Sequence, residues 1–133
     1  MIDKIQITTL PITETFSQQR RLIQDRGELA LIEDGMTIRH LGYFTLRSGQ
    51  GLFRGGHYHL YKTEFFYIAG GTLRIQLVDL DTGERSEVML QTGQRVMIQP
   101  RCAHRFQAER DAQVIEYYDG VYNRDDDHPY HDF

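Results

Sequence analysis

From about Glu28 onward, the sequence alternates short β-prone runs with residues that favour turns. Six or more such runs recur about every 8–12 positions, a spacing typical of a β-sandwich or a β-barrel. No convincing helical segment separates them, so a parallel sheet built from βαβ units is disfavoured. The runs are ELALIED, IRHLGYFTLR, TEFFYIA, TLRIQLVDL, RSEVMLQ, QRVMIQ, HRFQAE and QVIEYY.

Turn-forming residues predict where these strands end. Turns are predicted at Gly70-Gly71 and at Arg110-Asp111, because glycine and charged pairs interrupt the apolar runs there. Before the first run, TETFSQQRRLIQ predicts either one short helix or a loop. The tail NRDDDHPYHDF is polar and is interrupted by Pro129, so we expect it to wrap the surface or to be partly mobile.

Length and charge limit the class of protein. The chain has 133 residues, which favours one domain with a real core, and its net charge is −4. No basic block stands out, so a nucleic-acid partner is not expected. The single cysteine, Cys102, permits no internal disulfide and fits a reducing, cytoplasmic setting. The first residues do not resemble a secretory signal, and no run approaches the roughly 18 apolar residues of a membrane span.

Two histidines and a glutamate form the most informative pattern. Alternate side chains of a strand share a face, so His57 and His59 are predicted to point the same way. Glu64 begins the next apolar run, and His104 lies far downstream in GQRVMIQPRCAHRF. Three imidazoles and a carboxylate suit a divalent transition metal with room for water or substrate. The alternatives are polar strand residues without a metal, a strand-edge charge for Glu64 and a substrate contact for His104.

The spacing of these residues resembles the cupin superfamily of small jelly-roll barrels. The first cupin motif is a glycine, five residues, His-x-His, three or four residues, a glutamate, six residues and a glycine. The corresponding positions here are Gly51, His57, His59, Glu64 and Gly71. In the second motif, Gly93 and His104 match, whereas Gln99 and Arg101 replace a proline and a glycine. These departures alter the turn before His104 and leave the ligand set intact.

The resemblance implies an all-β, single-domain cupin double-stranded β-helix, that is, a jelly-roll barrel. The expected domain covers residues 1–133, with a barrel core at about 28–120, an N-terminal segment 1–27 and a polar tail 121–133. A homodimer is implied by the family, with an N-terminal strand crossing between protomers to cover a sheet edge.

Several segments are similar to cupins that act on nucleotide-linked sugars: DRGELALIE, RGGHYH, HYHLYKTE and YYDGVYNRDDDHPYHDF. One such branch is the dTDP-4-keto-6-deoxyhexose 3,4-ketoisomerases, in which paired histidines act as acid and base without metal and glutamine tends to occupy the Glu64 position. The other is the metal-binding cupin domain of capsular polysaccharide epimerase/reductases. Because this chain has both Glu64 and His104, the resemblance favours a metal site.

The function implied is a metal-dependent isomerase or epimerase of a nucleotide-linked keto-sugar in polysaccharide or glycoside biosynthesis. The expected metal ligands are His57, His59, Glu64 and His104, and the three histidines are also the catalytic candidates. The ligand types suit iron, manganese, nickel, copper or zinc without choosing among them. The alternatives are a mononuclear metal cupin dioxygenase or lyase acting on a small organic substrate, and a non-catalytic cupin that binds a sugar or metabolite.

Other polar residues give weaker predictions. Arg54, Tyr67 and Arg26 are candidates for substrate binding, Arg54 because a guanidinium binds a phosphate or a carboxylate through two hydrogen bonds. Simple packing or surface exposure is the alternative for each, and also for Arg47 and for the tyrosines at positions 43, 117 and 118. Cys102 is interpreted as a packing residue. The acidic and histidine residues of the tail are interpreted as a solvated segment, not a second metal site: Asp125, Asp126, Asp127, His128 and His131.

Overall fold

The computed structural model describes residues 2–133, and strands make up nearly all of its regular structure. This confirms the all-β prediction. Among the described residues, one 3₁₀ turn, Arg124–Asp126, lies between the last two strands. The strands are β1 Ile5–Thr9, β2 Arg20–Gln24, β3 Gly27–Leu31, β4 His40–Leu46, β5 Arg54–Tyr58, β6 Glu64–Asp79, β7 Arg85–Gln91, β8 Gln94–Ile98, β9 Cys102–Tyr118 and β10 His128–Pro129.

Eight strands form one sheet in the order β1-β8-β6-β9-β5-β10, with β4 also paired to β9 and β7 to β6. Every pairing between these strands is antiparallel, as expected for a jelly roll and not for βαβ units. The interior is apolar and is drawn mainly from β6, β8 and β9, with residues such as Phe66, Ile75, Val96, Phe106 and Val114.

The two longest strands pass through positions where turns were predicted. β6 continues across Gly70-Gly71 and β9 continues across Arg110-Asp111, so both turn predictions are wrong. The strands instead shift register near Gly70 and Thr72, and a β-bulge bends a strand without ending it. Gly71 has φ +83°, and a Cβ there would lie 2.3 Å from the Asp111 carbonyl oxygen. Glycine is therefore required where the bent strands approach most closely.

The N-terminal segment contains no helix among the residues that the structure describes. Where a helix or loop was predicted, residues 14–15 form a bend and residues 18–19 a turn, and β2 then pairs with β3 as a two-stranded hairpin. An ion pair joins its two strands, with Arg21 Nε 2.6 Å from Glu28 Oε1. The crossing of this region to a second protomer stays a prediction. In the part of the chain that the structure describes, no helix has the length and apolar character needed to span a membrane.

The polar tail is docked on the barrel. β10 pairs with β5, and the Tyr130 amide donates to the Gly56 carbonyl at 2.8 Å. Asp126 is only 5% exposed, so the prediction of a solvated segment is wrong for this residue. The tail does wrap the surface, as the other part of the prediction stated.

Candidate metal centre

Three strands bring the four predicted ligands together. His57 lies on β5 directly opposite His104 on β9, His59 follows β5, and Glu64 is the first residue of β6. One ligand atom from each residue lies within 4.8 Å of every other. Gly55 permits this pairing, because a Cβ there would lie 2.8 Å from the carbonyl oxygen of His104. The four side chains thus form one compact cluster, in which His59, Glu64 and His104 are buried.

The Glu64 carboxylate lies at the centre of the group. Its Oε1 is 3.0 Å from Nε2 of His59 and 3.2 Å from Nε2 of His104. These distances fall in the hydrogen-bond range, yet none of the three buried atoms has a hydrogen bond of acceptable geometry among the described residues. Buried polar atoms without partners are costly. A divalent cation at the point where they converge would satisfy all three.

Each histidine is oriented by a partner on its outer nitrogen. Nδ1 of His57 lies 2.8 Å from Oδ1 of Asp127. Nδ1 of His59 lies 2.7 Å from the Asp126 carbonyl oxygen, and Nδ1 of His104 lies 3.0 Å from that of Cys102. Carbonyl and carboxylate oxygens accept hydrogen bonds, so each Nδ1–H donates outward. The Nε2 lone pairs are left facing inward, which is the arrangement found for histidines that bind metals.

The electrostatics give His57 and Glu64 the charge states that a metal requires, whereas His59 is biased toward protonation and a metal would have to displace that proton. Burial lowers the pKa of His57 to about 4, and the neighbouring His104 and His59 add to this effect, so the ring stays neutral. Burial alone would raise the pKa of Glu64, but contacts with His104 and His59 lower it well below its usual range. Burial opposes charge on His59, but contact with Glu64 outweighs it and raises its pKa. Glu64 is therefore an anion whose nearest partners are imidazole nitrogens.

A cavity of about 190 Å³ opens onto this group. Three of the predicted ligands line it: His57, Glu64 and His104. The rest of the lining consists of an aromatic wall (Phe44, Phe66 and Phe106), two charged residues (Arg54 and Glu116) and Gly55. Arg54 also lines an adjacent groove of about 420 Å³ that includes Arg47, Leu52 and Phe53. The cavity and the groove thus meet at one guanidinium.

Arg54 is held at this junction with part of its guanidinium free to bind. Its Nε donates to the Thr45 carbonyl at 2.9 Å, and its guanidinium carbon lies 5.5 Å from the centre of the Phe44 ring. This places the positive charge beside the predicted metal ligands, where the sequence prediction put it.

Glu116 is a site residue that the sequence analysis missed. It lines the cavity, and its Oε2 lies 3.5 Å from Nε2 of His40, whose ring stacks on Tyr118 with centroids 4.3 Å apart. Gly42 makes room for it, because a Cβ there would lie 2.9 Å from Cγ of Glu116. The available signal was a carboxylate inside the otherwise apolar run QVIEYY.

Tyr67 and Arg26 are not among the residues that line this cavity, and their role in substrate binding stays a prediction. Tyr67 lies on the face of β6 opposite Glu64 and Phe66, close enough to Arg21 and Glu28 to interact electrostatically with both. Arg26 lies in the connection between β2 and β3, where its Nε donates to Gln24 Oε1 at 3.0 Å. The sequence alone did not reveal which face of β6 Tyr67 occupies or that Arg26 lies in a hairpin connection.

Solved structures of similar shape identify the class of fold. A sugar 3,4-ketoisomerase from Thermoanaerobacterium thermosaccharolyticum has a TM-score of 0.78 at 16% identity, covering 100% of this chain and 93% of that one. The TDP-quinovose 3,4-ketoisomerase of Campylobacter jejuni has a TM-score of 0.75 at 16% identity, covering 96% and 93%. The dTDP-4-dehydrorhamnose 3,5-epimerase of Sulfolobus tokodaii has a TM-score of 0.75 at 18% identity, and the match covers 96% of this chain and 77% of that one. The chain has the cupin jelly-roll fold, as the motif spacing predicted.

The family follows from the sequence itself. Residues 24–129 match the model of the polysaccharide biosynthesis C-terminal domain, and the chain belongs to that family. The curated proteins contain no match to this chain.

Proposed function

We propose that this protein is a metal-dependent isomerase or epimerase of a nucleotide-linked keto-sugar in polysaccharide or glycoside biosynthesis. The observation that supports the metal dependence is the convergence of one ligand atom from each of the four residues within 4.8 Å of one another, with the Nε2 atoms of His59 and His104 directed at Oε1 of Glu64. The substrate class is supported by the family and by the similar structures, one of which is a ketoisomerase variant in complex with TDP-4-keto-6-deoxyglucose.

His57, His59, Glu64 and His104 would hold the cation. A divalent metal there supplies Lewis-acid stabilisation of the negative charge that develops on the keto oxygen when a neighbouring proton is removed. The aromatic wall of Phe44, Phe66 and Phe106 excludes water from this charge, which strengthens electrostatic interactions.

The proton must be carried by a residue outside the ligand set. Each histidine has Nδ1–H engaged outward and Nε2 directed at the metal position, so none of the three has a free lone pair to act as a base. Glu116 is the remaining carboxylate in the cavity lining. In the proposed reaction its oxygen takes the proton from the carbon beside the ketone and returns it to the product.

Arg54 and Arg47 would bind the diphosphate of the substrate. Arg54 stands where the metal cavity meets the groove, and Arg47 lines the groove. The sugar would then enter the cavity while the nucleotide extends along Leu52 and Phe53. Guanidinium groups suit this role because they bind phosphate through paired hydrogen bonds.

The test is proton exchange in D₂O. Protein loaded with Zn²⁺ or Mn²⁺ is incubated with TDP-4-keto-6-deoxyglucose, and deuterium incorporation next to the ketone is followed by NMR. We expect incorporation and an isomerised product only with metal present. Failure of any nucleotide sugar to bind saturably would refute the substrate class. Equal exchange without metal would instead assign acid and base roles to His57 and His59, and Fe²⁺-dependent oxygen uptake without exchange would favour the dioxygenase.

A further inference from the structure

The last residues of the chain form a strap across the predicted metal ligands. We define the C-terminal strap as residues 123–130. It begins with Asn123, whose Oδ1 accepts the Asp125 amide at 3.0 Å and starts the 3₁₀ turn. It ends as β10, which pairs with the backbone of Tyr58 and His57. The strap therefore begins with a locally capped turn, and its last residues are fixed next to the strand that carries a ligand.

Two consecutive strap residues contact two of the imidazoles. The Asp127 carboxylate accepts from Nδ1 of His57 at 2.8 Å, and the Asp126 carbonyl accepts from Nδ1 of His59 at 2.7 Å. The buried Asp126 carboxylate also accepts the amides of Leu60 at 2.7 Å and Tyr61 at 3.2 Å. These amides belong to the loop that joins His59 to Glu64. The strap thus fixes both imidazoles and the start of this loop.

We propose that the C-terminal strap is a positioning element of the metal centre, with Asp127 acting through its side chain and Asp126 through its carbonyl. This inference rests on the proposed function, because it assumes that the four ligands hold a metal. The ring of His57 needs its Nδ1–H held outward to present Nε2, and a carboxylate partner also makes the ring a stronger donor. Neither aspartate touches the metal position itself.

Asp127 gives the sharper test because its side chain is 37% exposed and it is not part of the core. Asp127→Ala removes the acceptor, and Asp127→Asn keeps an oxygen acceptor but removes the charge. Asp125→Ala is the matched control, since Asp125 lies two residues away on the same exposed turn and contacts no imidazole in the described structure. Full-length variants are titrated with Zn²⁺ against a chromophoric chelator. The Co²⁺ forms are compared by visible absorption.

We expect Asp127→Ala to bind Zn²⁺ roughly 10–100-fold more weakly, with an altered Co²⁺ spectrum. The Zn²⁺ affinity of Asp127→Asn should lie between those of Asp127→Ala and the parent. The affinity of Asp125→Ala should equal that of the parent. If both Asp127 variants bind as tightly as the parent with the same spectrum, the strap proposal is wrong while the metal site stands. If the parent binds neither ion at one per chain, the metal site and the strap proposal both fail. Melting temperatures of the metal-free variants show whether a loss of affinity reflects unfolding.

Discussion

Oε1 of Glu64 lies 3.2 Å from Nε2 of His104, although the pairing of β6 with β9 places these residues far apart along the sheet. His104 is paired with Leu77, which follows Glu64 by 13 positions (77 − 64) on the same strand. In a flat sheet such a separation corresponds to about 40 Å. Only the rolling of the sheet into a barrel brings the two side chains together. The candidate metal centre is therefore a direct product of barrel closure.

Glu64→Gln should abolish stoichiometric metal binding. The substitution keeps the shape but removes the negative charge at the point where two Nε2 atoms converge. The loss should exceed the roughly 10–100-fold that follows removal of a hydrogen-bond partner behind a metal ligand. Metal analysis of protein purified without chelators measures it.

The same variant allows a stability measurement that requires no substrate. A ligand at 100 times its Kd stabilises the folded state by about 2.7 kcal/mol, so Zn²⁺ should raise the melting temperature of the parent and not of Glu64→Gln. Glu14→Gln, at an exposed position, is the control and should respond like the parent. Full metal content in Glu64→Gln would contradict the assignment of the carboxylate as a ligand.

Glu116→Gln should lower kcat without changing metal content. A positioned acid or base contributes about 10²–10⁴-fold to the reaction rate, so we expect the rate of deuterium exchange to fall by a factor in that range. KM and Zn²⁺ affinity should stay near the parent values because Glu116 is not among the four converging ligands.

A matched control for this prediction lies on the same strand. The Glu109 carboxylate is 44% exposed and pairs with Arg74, outside the cavity. Glu109→Gln should therefore retain parental turnover. Unchanged exchange in Glu116→Gln would assign the proton to another group.

The clustering of the four candidate ligands could be predicted from the sequence because these residues have fixed spacing. His57 and His59 alternate on one strand, and Glu64 and His104 occupy the cupin motif positions. Glu116, Asp126 and Asp127 belong to no such pattern. Their positions depend on which strands become neighbours when the barrel closes and on where the tail docks, and these contacts are long-range.

The turns at Gly70-Gly71 and Arg110-Asp111 were mispredicted for a related reason. Glycine locally indicates a strand end, but here it permits a bulge that is imposed by the partner strand. Tyr67 and Glu64 illustrate the same limit for side chains, because both are buried and only the tertiary structure distinguishes the two faces of β6.

Gly71→Ala should destabilise the fold strongly. Gly71 has φ +83°, and a Cβ would lie 2.3 Å from the Asp111 carbonyl oxygen and 2.7 Å from Cα of Ala112. Both contacts are with backbone, so neither can be relieved by rotating a side chain. Gly83 provides a matched control, since it has φ +77° and a Cβ added there would meet no atom within 4 Å.

The comparison of the two alanine variants separates backbone strain from steric overlap. Gly83→Ala should cost only the strain of a positive φ, about 1 kcal/mol. Gly71→Ala should cost at least about 3 kcal/mol, because overlap is added to strain. Urea denaturation measures both free energies of unfolding. Equal losses in the two variants would show that β6 and β9 can separate at the bulge without penalty.

Asp79 should make stability depend on pH in the acid range. Its carboxylate is buried and lies 2.6 Å from Nζ of Lys4, and it also accepts the Asp81 amide at 2.9 Å. The hydrogen bond from Lys4 lowers the pKa of Asp79 below its ordinary value of 3.8, against the opposing effect of burial. A lowered pKa in the folded state means that the ionised group stabilises the fold above pH 3.8. This contribution is lost as the pH falls through the folded-state pKa.

Asp79→Asn should therefore be less stable than the parent at pH 7, and the difference should shrink as the pH falls below 3.8. Urea denaturation at a series of pH values measures the difference in free energy of unfolding. Asp25→Asn is the control, because Asp25 is exposed in the connection between β2 and β3. A gap between parent and Asp79→Asn that stays constant as the pH is lowered from neutral to well below 3.8 would mean that the ion pair with Lys4 does not stabilise the fold. Lys4 joins the N-terminal end of the chain to the far end of β6, so loss of the pair in acid should release β1 before the rest of the barrel unfolds.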